Sequence, residues 1–214
     1  MYVPHFHAVE DEQHVRAMVA GIGSAQLVTV GQDGYPLATL LPVVWEGDTV
    51  IAHMARANPH WTEIGDGSPV LLVVAGPQAY ISPSWYASKT EHGRVVPTWN
   101  YSAVQIAGRA TIRQDSDWLR AVVDDLVERH EAHREVPWST LDAPEKYISG
   151  QLRAIVGIEI AVERVEGKAK LSQNRSAADR QGVVEGLRQE SSHGAFDVAE
   201  EMSAHLQDSP ISEW

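Results

Sequence analysis

The stretch AQLVTVGQDGYPLATLLPVVWEGDTVIAHM, residues 25–54, contains three short apolar runs separated by two tight turns. The runs 25–30, 36–45 and 49–54 are predicted as strands, and the pair Asp33-Gly34 supplies a turn that tolerates positive φ. A parallel return would need a crossover of about a dozen residues, so these strands are predicted to be antiparallel. The stretch therefore disfavours parallel, doubly wound folds.

Outside this stretch, strand patterns alternate with helix patterns. Residues 10–20 carry apolar side chains at helical spacing before a glycine stop, and residues 115–134 show a second amphipathic pattern capped by Asp115. Asn58 is the expected cap of a short helix over residues 58–64, because Pro59 can occupy the first helical position without losing a hydrogen bond. The remaining predicted elements are strands over residues 70–75, 78–82, 104–112 and 155–165, and a helix over residues 144–154.

Residues 83–97 break the pattern with Trp, Tyr, Ser, Lys, Gly and Pro, which predicts a long loop. The whole pattern predicts an α+β fold, an antiparallel β-barrel of about six strands with flanking helices. Residues 1–188 are predicted as one domain, followed by an acidic, helical C-terminal tail over residues 189–214. The tail residues that suit one apolar helix face are Phe196, Ala199, Met202 and Leu206.

Composition limits the classes of function. The 214 residues include 43% hydrophobic residues, enough for a core, and no cysteine, which excludes disulfides, thiolate zinc sites and a cysteine nucleophile. The net charge of −12 repels nucleic acid at long range, and the tail contributes strongly because residues 190–214 contain neither Lys nor Arg. A signal peptide and an apolar run of about 20 residues are both lacking, so we expect a cytoplasmic protein without a membrane span.

Three of the seven tryptophans lie in segments rich in rings and amides, residues 58–61, 82–86 and 96–101. Flat rings with one polar group, beside hydroxyls, an amide and Arg56, suit a flat anionic ligand with polar edges. Flavin mononucleotide (FMN) is a ligand of this kind.

Several segments, in the same order, resemble the PaiB-type FMN-binding negative transcriptional regulators. The matching segments are ATLLP (38–42), IAHMARANPHW (51–61), GPQAYISPSWY (76–86), VPTWNY (96–101) and GKAKLSQNR (167–175). Together they span nearly all of residues 1–188. The resemblance implies a split β-barrel related to the pyridoxamine-phosphate-oxidase-like flavoproteins. It also implies a homodimer with FMN in clefts where two barrels meet.

Arg56 and the N–H groups from Asn58 to His60 are predicted to bind the flavin phosphate, because a guanidinium and a helix start both favour an anion. The alternative for Arg56 is a surface ion pair. Asn100 lies between two aromatic residues, and an unpaired interior amide costs about 1–3 kcal/mol. We therefore expect Asn100 to bind the flavin edge or the partner's backbone.

Residues 168–175 gather three cations and two amides in an otherwise acidic chain. This charge favours an anion, so Lys170, Gln173 and Arg175 are predicted to reach the flavin or its phosphate, from the same subunit or the other. The alternative is a solvated connector before a helix capped by Asn174 or Ser176.

Plain sheet or core packing is the alternative role for several of the remaining candidates. The full set of predicted cofactor contacts is Thr39, Leu40, His53, Ala55, Arg56, Asn58, His60, Trp61, Trp85, Trp99, Asn100, Tyr101, Lys170, Gln173 and Arg175.

Other functions stay open at this point. An FMN-dependent oxidoreductase would pass electrons from a reduced nicotinamide to a substrate lodged by Trp85, Tyr86 and Trp99. A haem-binding or haem-degrading split-barrel protein would use a histidine, and no metal site is predicted. Direct DNA binding is not favoured, because the best amphipathic helix is acidic and a helix-turn-helix with a basic second helix is not evident.

Overall fold

The structure is a computed structural model, which describes residues 1–192 and 194–208, with side chains described as far as residue 205. The chain forms two compact units. Unit 1 comprises Met1–Val15, Ala75–Val104 and the described residues from Glu166 onward. Unit 2 comprises Arg16–Val74 and Gln105–Val165. Within the described residues, no helix has the length and apolarity needed to cross a membrane.

The described residues contain seven strands and six α-helices. The strands are β1 (Ala8–Val9), β2 (Ser24–Val30), β3 (Pro36–Glu46), β4 (Thr49–Ala55), β5 (Ser68–Ile81), β6 (Thr98–Arg113) and β7 (Ile155–Lys170). The helices are α1 (Glu12–Ile22), α2 (Ser88–His92), α3 (Ser116–Glu131), α4 (Glu145–Leu152), α5 (Ala177–Gln189) and α6 (Ala195–Asp208). Short 3-10 helices cover His5–His7, Pro59–Glu63, Pro83–Trp85 and Thr140–Asp142.

The strands form one antiparallel sheet in the order β1-β7-β4-β3-β2-β5-β6. β6 also pairs with β7, so six strands form a closed ring and β1 is an additional partner of β7. The tight turns at Gly34 and Gly47 have φ of 83° and 51°, which glycine adopts without strain. The expected antiparallel split barrel with flanking helices and a helical C-terminal segment is confirmed.

Alternate residues of the strands of unit 2 form its interior. Leu27, Val50, Ala52 and Leu72 are fully buried, as expected when side chains two apart point to the same face of a strand. The opposite face of β3 and β4 lies under α3, where Val44 and Ile51 pack with α3 residues. Asp115 caps α3 by accepting a hydrogen bond from the Trp118 N–H, as predicted.

Unit 1 has its own apolar core, formed by β-strand ends, Tyr86 and the last two helices. α5 and α6 contribute Val183, Leu187, Val198 and Met202, each at most 2% exposed. Ala199 of the predicted apolar face is also buried, whereas Phe196 is 62% exposed and the Leu206 side chain lies outside the described residues. The predicted domain boundary at residue 188 stays a prediction, but α6 is an integral part of the unit 1 core.

Three strands are longer than the sequence predicted. Residues 70–75 and 78–82 belong to one strand, β5, which continues through Gly76 and Pro77. A Cβ at Gly76 would lie 2.1 Å from the Ser102 Oγ, so this glycine permits a close approach of β6 and does not end the strand. β6 starts at Thr98, six residues before the predicted start. The sequence does not show this part of the strand, because the inward residues Asn100 and Ser102 are polar. β7 continues past the predicted end at Val165 to Lys170. The sequence does not show this extension, because a buried strand position is occupied by the charged residue Lys168.

The other predicted boundaries differ only slightly from the structure. The predicted loop over residues 83–97 contains the 3-10 helix Pro83–Trp85 and the short helix α2, which ends at Gly93 with φ of 67°. Asn58 caps the 3-10 helix Pro59–Glu63 by accepting from the His60 N–H, as predicted. Ser176, one of the two predicted caps, accepts from the Asp179 N–H at the start of α5.

The contact between α5 and Trp85 gives a stability prediction. A Cβ at Gly186 would lie 2.4–2.5 Å from three atoms of the Trp85 indole, so Gly186→Ala should lower the free energy of unfolding by about 1–3 kcal/mol. The control is Gly21→Ala in α1, where no described atom lies within 4 Å of the new Cβ and helix propensity should add up to about 1 kcal/mol. Urea unfolding of both variants measures the two changes, and equal effects would contradict the packing described.

Candidate functional site

In unit 2, the predicted residues Thr39, Asn58 and His60 meet in one hydrogen-bonded group with Thr29, which we call the His60 cluster. The His60 ring bonds the Thr29 hydroxyl through Nε2 at 2.8 Å and the Thr39 hydroxyl through Nδ1 at 2.7 Å. Asn58 donates to the Thr39 hydroxyl at 3.3 Å. Three separate segments, β2, β3 and the turn after β4, are thereby joined at one point.

The surroundings of His60 favour its neutral form. Its side chain is buried, and burial lowers the pKa of the imidazole, with Glu63 acting weakly in the opposite direction. The neighbouring groups that contact the ring are hydroxyls, which bond a neutral imidazole without requiring a charge.

Arg56 lies immediately after β4, and main-chain carbonyls hold its guanidinium. Nε donates to the Arg153 carbonyl at 3.0 Å and Nη2 to the Ile155 carbonyl at 3.2 Å, while Nη1 donates to the Gln114 side chain at 2.7 Å. No carboxylate within the described residues forms a salt bridge with it, so the surface ion pair considered from sequence is not observed there. Two of the five guanidinium N–H groups take no part in these three bonds.

The remaining predicted residues of unit 2 differ in burial and in hydrogen bonding. Trp61 donates from Nε1 to the Arg56 carbonyl at 2.9 Å, and the Arg56 Cζ lies 5.8 Å from the centre of the Trp61 ring. Leu40 is 61% exposed on the outward face of β3, and Ala55 is exposed at the end of β4. The Nδ1 of His53 is buried without a hydrogen-bond partner among the described residues, and burial lowers the pKa of this histidine.

In unit 1, the predicted Asn100, Lys170 and Arg175 line a cavity of about 200 Å³, which we call the unit 1 pocket. His7, Tyr86 and Thr98 are among its other polar lining residues. Lys170 donates to the Thr98 hydroxyl and to the Trp99 carbonyl. Burial lowers the pKa of Lys170, and the charge of Lys168 lowers it further. The Arg175 Cζ lies 4.7 Å from the centre of the Tyr86 ring.

Gln173 does not line the pocket but orients one of its walls. Its Nε2 donates to the Ala169 carbonyl, and its Oε1 accepts from the Leu171 N–H at 2.8 Å, which fixes the direction of the amide. The same Oε1 lies 2.8 Å from the Nδ1 of His7, so Nδ1 must carry the proton in that bond. Neutral His7 therefore has an unprotonated Nε2, and burial lowers the pKa of the ring.

Asn100 is fully buried, and its amide is bonded within its own unit. Its Nδ2 donates to the Ser172 hydroxyl at 3.0 Å and lies 3.4 Å from the Met202 sulfur. The Ser172 hydroxyl donates back to the Asn100 Oδ1 at 3.3 Å. The Asn100 amide is thus bonded to Ser172 of the same chain, and the predicted contact with the flavin edge or the partner's backbone stays a prediction. Tyr101 accepts from the Lys168 ammonium at 2.6 Å through its hydroxyl.

The two predicted tryptophans of unit 1 have different environments. Trp85 is partly buried against the unit 1 core, and Gly182 and Gly186 of α5 leave room for its backbone and ring. Trp99 is 46% exposed, donates to the Gln78 side chain at 3.1 Å and meets the Tyr80 ring edge to face. Trp85 therefore has a packing role, and Trp99 leaves nearly half of its surface available.

Sequence reasoning did not select Thr29, Thr98, Ser172 or His7 for these groups. Thr29 and Thr98 are small polar residues on strands, Ser172 follows β7, and His7 is an isolated ring. The partner of each lies far along the chain, as with His7 and Gln173, which are 166 residues apart. Thr29 could have been recognised from its position in the strand. It lies two residues after Leu27, so both point to the interior, and a polar side chain there needs a hydrogen-bond partner.

The sequence matches the family model described as "Putative FMN-binding domain" over residues 1–164. The chain belongs to this family. It is 34% identical over 212 residues to "Protease synthase and sporulation protein PAI 2" of Bacillus subtilis (strain 168), a match that covers 96% of this chain and 98% of that protein. The chain is therefore an FMN-binding split-barrel protein of the PaiB type.

Two solved structures share the fold at low sequence identity. The FAD and haem binding protein of Mycobacterium smegmatis matches with a TM-score of 0.59 and 16% identity, over 82% of this chain and 78% of that one. The flavocytochrome Anf3 of Azotobacter vinelandii matches with a TM-score of 0.56 and 18% identity, over 77% of this chain and 70% of that one. At these identities the similarity concerns the fold alone.

The residues present fit FMN in two respects. Arg56 is a fixed guanidinium with unused N–H groups and no carboxylate partner among the described residues, which suits a phosphate. The His53 Nδ1 is a buried polar atom that lacks a protein partner in the described part of the chain, which suits a polar edge of a ligand.

The neutral state of His60 predicts a pH dependence of stability. An unfolded histidine has a pKa near 6.5, and folding lowers it, so below that pH the unfolded chain binds a proton that the folded chain resists. The free energy of unfolding should therefore fall as the pH is lowered from about 7.5 to about 5.5. His53 and His7 act in the same direction. In His60→Gln, which keeps a polar side chain but cannot gain the proton, the fall should be smaller. Urea unfolding at both pH values measures it; an undiminished fall would refute this role of His60.

Proposed function

We propose that this chain is a homodimeric FMN-binding regulator of the PaiB type, in which unit 2 supplies the anchor for the flavin phosphate. The observation that supports this most strongly is the Arg56 guanidinium, held by the carbonyls of Arg153 and Ile155 in a chain that belongs to an FMN-binding family. A cation fixed by neutral acceptors keeps its full charge for a ligand and loses little side-chain entropy on binding.

The predicted contacts of unit 2 divide into an anchor and a wall. Arg56 is the anchor, and Asn58 and His60 support it by holding the turn that follows. The N–H groups predicted to bind the phosphate are engaged within this turn, because the Asn58 N–H donates to the Ala55 carbonyl and the His60 N–H to the Asn58 side chain. Trp61 stiffens the turn through its bond to the Arg56 carbonyl.

The wall consists of Leu40, His53 and Ala55, where exposed Leu40 offers apolar surface and His53 an unpaired ring nitrogen. Thr39 contributes its main chain, because its hydroxyl is bonded to His60 and Asn58 and its side chain points to the opposite face of β3 from Leu40.

The predicted contacts of unit 1 are Trp85, Trp99, Asn100, Tyr101, Lys170, Gln173 and Arg175. Among them, Trp99 has a large exposed ring surface, while Gln173 and Asn100 position their neighbours. When bound, FMN supplies reversible one- or two-electron redox chemistry. The residues of this chain bind and orient it, and neutral His60 adds no positive charge beside the ligand.

An exposed apolar face on unit 2 supports the dimer. The outward residues of β2 and its two neighbours stand opposite one another, with Val28 paired to Ala38 on β3 and to Leu71 on β5. Val30 is 69% exposed and Leu40 is 61% exposed on the same face. Contiguous apolar surface on a sheet is typical of an interface with another chain. A second copy would cover this face in both subunits by twofold symmetry.

The regulatory role rests on similarity to the sporulation protein of B. subtilis, and the charge of the chain limits how it is exercised. With a net charge of −12 and an acidic α3, direct contact with a duplex is electrostatically opposed. We propose that the flavin-bound dimer acts through another macromolecule. Absence of salt-sensitive duplex binding at low salt is expected. An FMN-dependent oxidoreductase would instead show anaerobic bleaching of the bound flavin by NADH or NADPH.

The phosphate role of Arg56 predicts a difference between FMN and riboflavin, which lacks the phosphate. Arg56→Gln should weaken FMN binding at least about tenfold, because a charge-assisted bond to the phosphate is lost. Riboflavin binding should change little. Quenching of flavin fluorescence during titration of the flavin-free protein gives both dissociation constants.

The matched control is Arg164→Gln, which removes the same charge at an exposed position on β7 of the same unit. It should leave both affinities within about twofold of the original protein. Equal losses of FMN and riboflavin in Arg56→Gln would mean that Arg56 supports the fold and not the phosphate. Failure of the original protein to bind FMN would refute the proposed function itself.

The dimer face predicts that Val30→Glu shifts the protein toward monomers. An added charge on an exposed apolar strand face costs little in a monomer but must be desolvated in an interface. Light scattering coupled to size-exclusion chromatography measures the mass. Val136→Glu, at an 84% exposed position elsewhere in unit 2, should remain dimeric. Dimers that persist in Val30→Glu would place the interface on another surface.

A further inference from the structure

The unit 1 pocket carries two cations, and no carboxylate lines it. The cations are Lys170 and Arg175. In the part of the chain that the structure describes, neither side chain forms a salt bridge. Asp179 lies near enough for its charge to act on Tyr86, but it does not line the pocket, and its carboxylate accepts from the N–H and hydroxyl of Ser88. Two adjacent cations without a carboxylate in the lining are unusual in a chain with a net charge of −12. They favour an anion in the pocket.

Hydrogen-bond donors in the pocket remain available for that anion. Lys170 uses two of its three ammonium N–H groups, on Thr98 and on the Trp99 carbonyl. Tyr86 is 2% exposed, and its hydroxyl has no hydrogen-bond partner among the described residues. Ser172 and Arg175 lie beside this hydroxyl but do not meet hydrogen-bond geometry with it. Burial raises the pKa of Tyr86, so the phenol stays protonated and can donate. A buried donor without an acceptor is costly unless a ligand or water supplies one.

The pocket also offers one acceptor. The amide of Gln173 fixes the proton of His7 on Nδ1, and the Nε2 of the neutral ring is left to accept. A ligand that carries a hydroxyl or N–H group next to its anionic group would satisfy this nitrogen. The donors and this acceptor together distinguish an organic acid from a bare halide.

The space within the pocket suits a small molecule. Its volume of about 200 Å³ is below the roughly 300–1,000 Å³ of pockets that enclose drug-sized ligands. FMN as a whole, with its three rings, ribityl chain and phosphate, exceeds this space. Phe6, Val96 and Pro97 provide apolar walls, so a short organic body can accompany the anionic group.

We infer that the unit 1 pocket binds a small oxyanion, a carboxylate or phosphate on a short organic body, as a ligand separate from FMN. Lys170, Arg175 and the Tyr86 hydroxyl hold the oxygens, and His7 accepts a hydrogen bond from the body of the ligand. The site lies within unit 1 and does not require flavin. It gives Lys170 and Arg175 a ligand other than the cofactor contact predicted from the sequence.

The test uses the full-length protein in Tris chloride at low ionic strength, with inorganic phosphate and propionate as probes. Isothermal titration calorimetry is performed on the flavin-free protein and again after saturation with FMN. We expect saturable binding of one probe anion per chain, with a dissociation constant that FMN changes less than about twofold. Lys170→Met and Arg175→Gln should each weaken it at least about tenfold.

Tyr86→Phe is the sharpest variant, because it removes only the unpaired hydroxyl. It should weaken anion binding several-fold while leaving the midpoint of urea unfolding unchanged or higher, a combination that a purely structural role would not give. Tyr80→Phe, which removes a hydroxyl from a half-exposed tyrosine, and Arg164→Gln are the matched controls and should bind the probe like the original protein.

Three results would overturn the inference. Absence of saturable binding of both probes would show that the pocket is not an anion site. Undiminished binding in Lys170→Met, Arg175→Gln and Tyr86→Phe would place the anion elsewhere. Loss of probe binding on saturation with FMN would mean that the pocket holds the flavin phosphate. The probes are also titrated into the flavin-free protein. If the protein failed to bind FMN, the proposed function would be refuted, but the titration without flavin would still test the pocket.

Discussion

Closure of the sheet between β6 and β7 is the constraint on which the arrangement of unit 2 depends. It requires a very close approach at Gly108, where a Cβ would lie 2.3 Å from the Ala161 carbonyl oxygen. A closed ring has no free edges, so every strand must alternate between an interior face and an outward face. The interior takes the fully buried Leu27, Val50 and Leu72. Everything available for a ligand, a helix or a partner must then lie on the outward face or beyond the strand ends.

Both candidate sites use the strand ends in the same physical manner. In unit 2 the carbonyls of Arg153 and Ile155 hold Arg56, and in unit 1 the Trp99 carbonyl holds Lys170. A carbonyl dipole fixes the position of a cation without cancelling its charge, whereas a carboxylate would neutralise it. The acids of the chain are placed elsewhere, for example Glu159 on Arg113 and Glu200 on Arg188. The two fixed cations therefore keep positive potential in an acidic protein.

Helix α6, in the acidic tail, buries its apolar residues and bonds two of its acids to other side chains. Its apolar residues Val198, Ala199 and Met202 complete the unit 1 core. Among its acids, Glu200 pairs with Arg188, while Glu201 accepts from the Ser102 hydroxyl, and burial raises the pKa of that carboxyl. Met202 also lies beside the Asn100 amide, so the helix contributes to the surroundings of a predicted site residue.

Much of the fold followed from local patterns. Asn58 and Asp115 were predicted as caps because their side chains satisfy N–H groups two or three residues away. The failures occurred where a local pattern has a long-range cause. The sequence pattern predicts a break at Gly76, but the missing side chain of this glycine makes room for Ser102. The pattern predicts no strand at Asn100, because a polar residue does not indicate an inward strand position, yet Asn100 lies in β6 and bonds Ser172 on another segment.

For the candidate sites, the sequence selected Thr39, Asn58 and His60 together, and these residues meet. It also selected Lys170 and Arg175 from a local concentration of charge.

By itself the sequence determined the antiparallel pairing of the strands joined by tight turns, the caps, the net charge and the family, because these depend on residue types and short spacings. Only the tertiary structure decided which polar groups are satisfied. The proton on His7 is set by Gln173, 166 residues away, and the Tyr86 hydroxyl is left unpaired by the packing around it. Burial and hydrogen-bond pairing are properties of the folded surroundings, so residues distant in the chain determine the chemistry of each group.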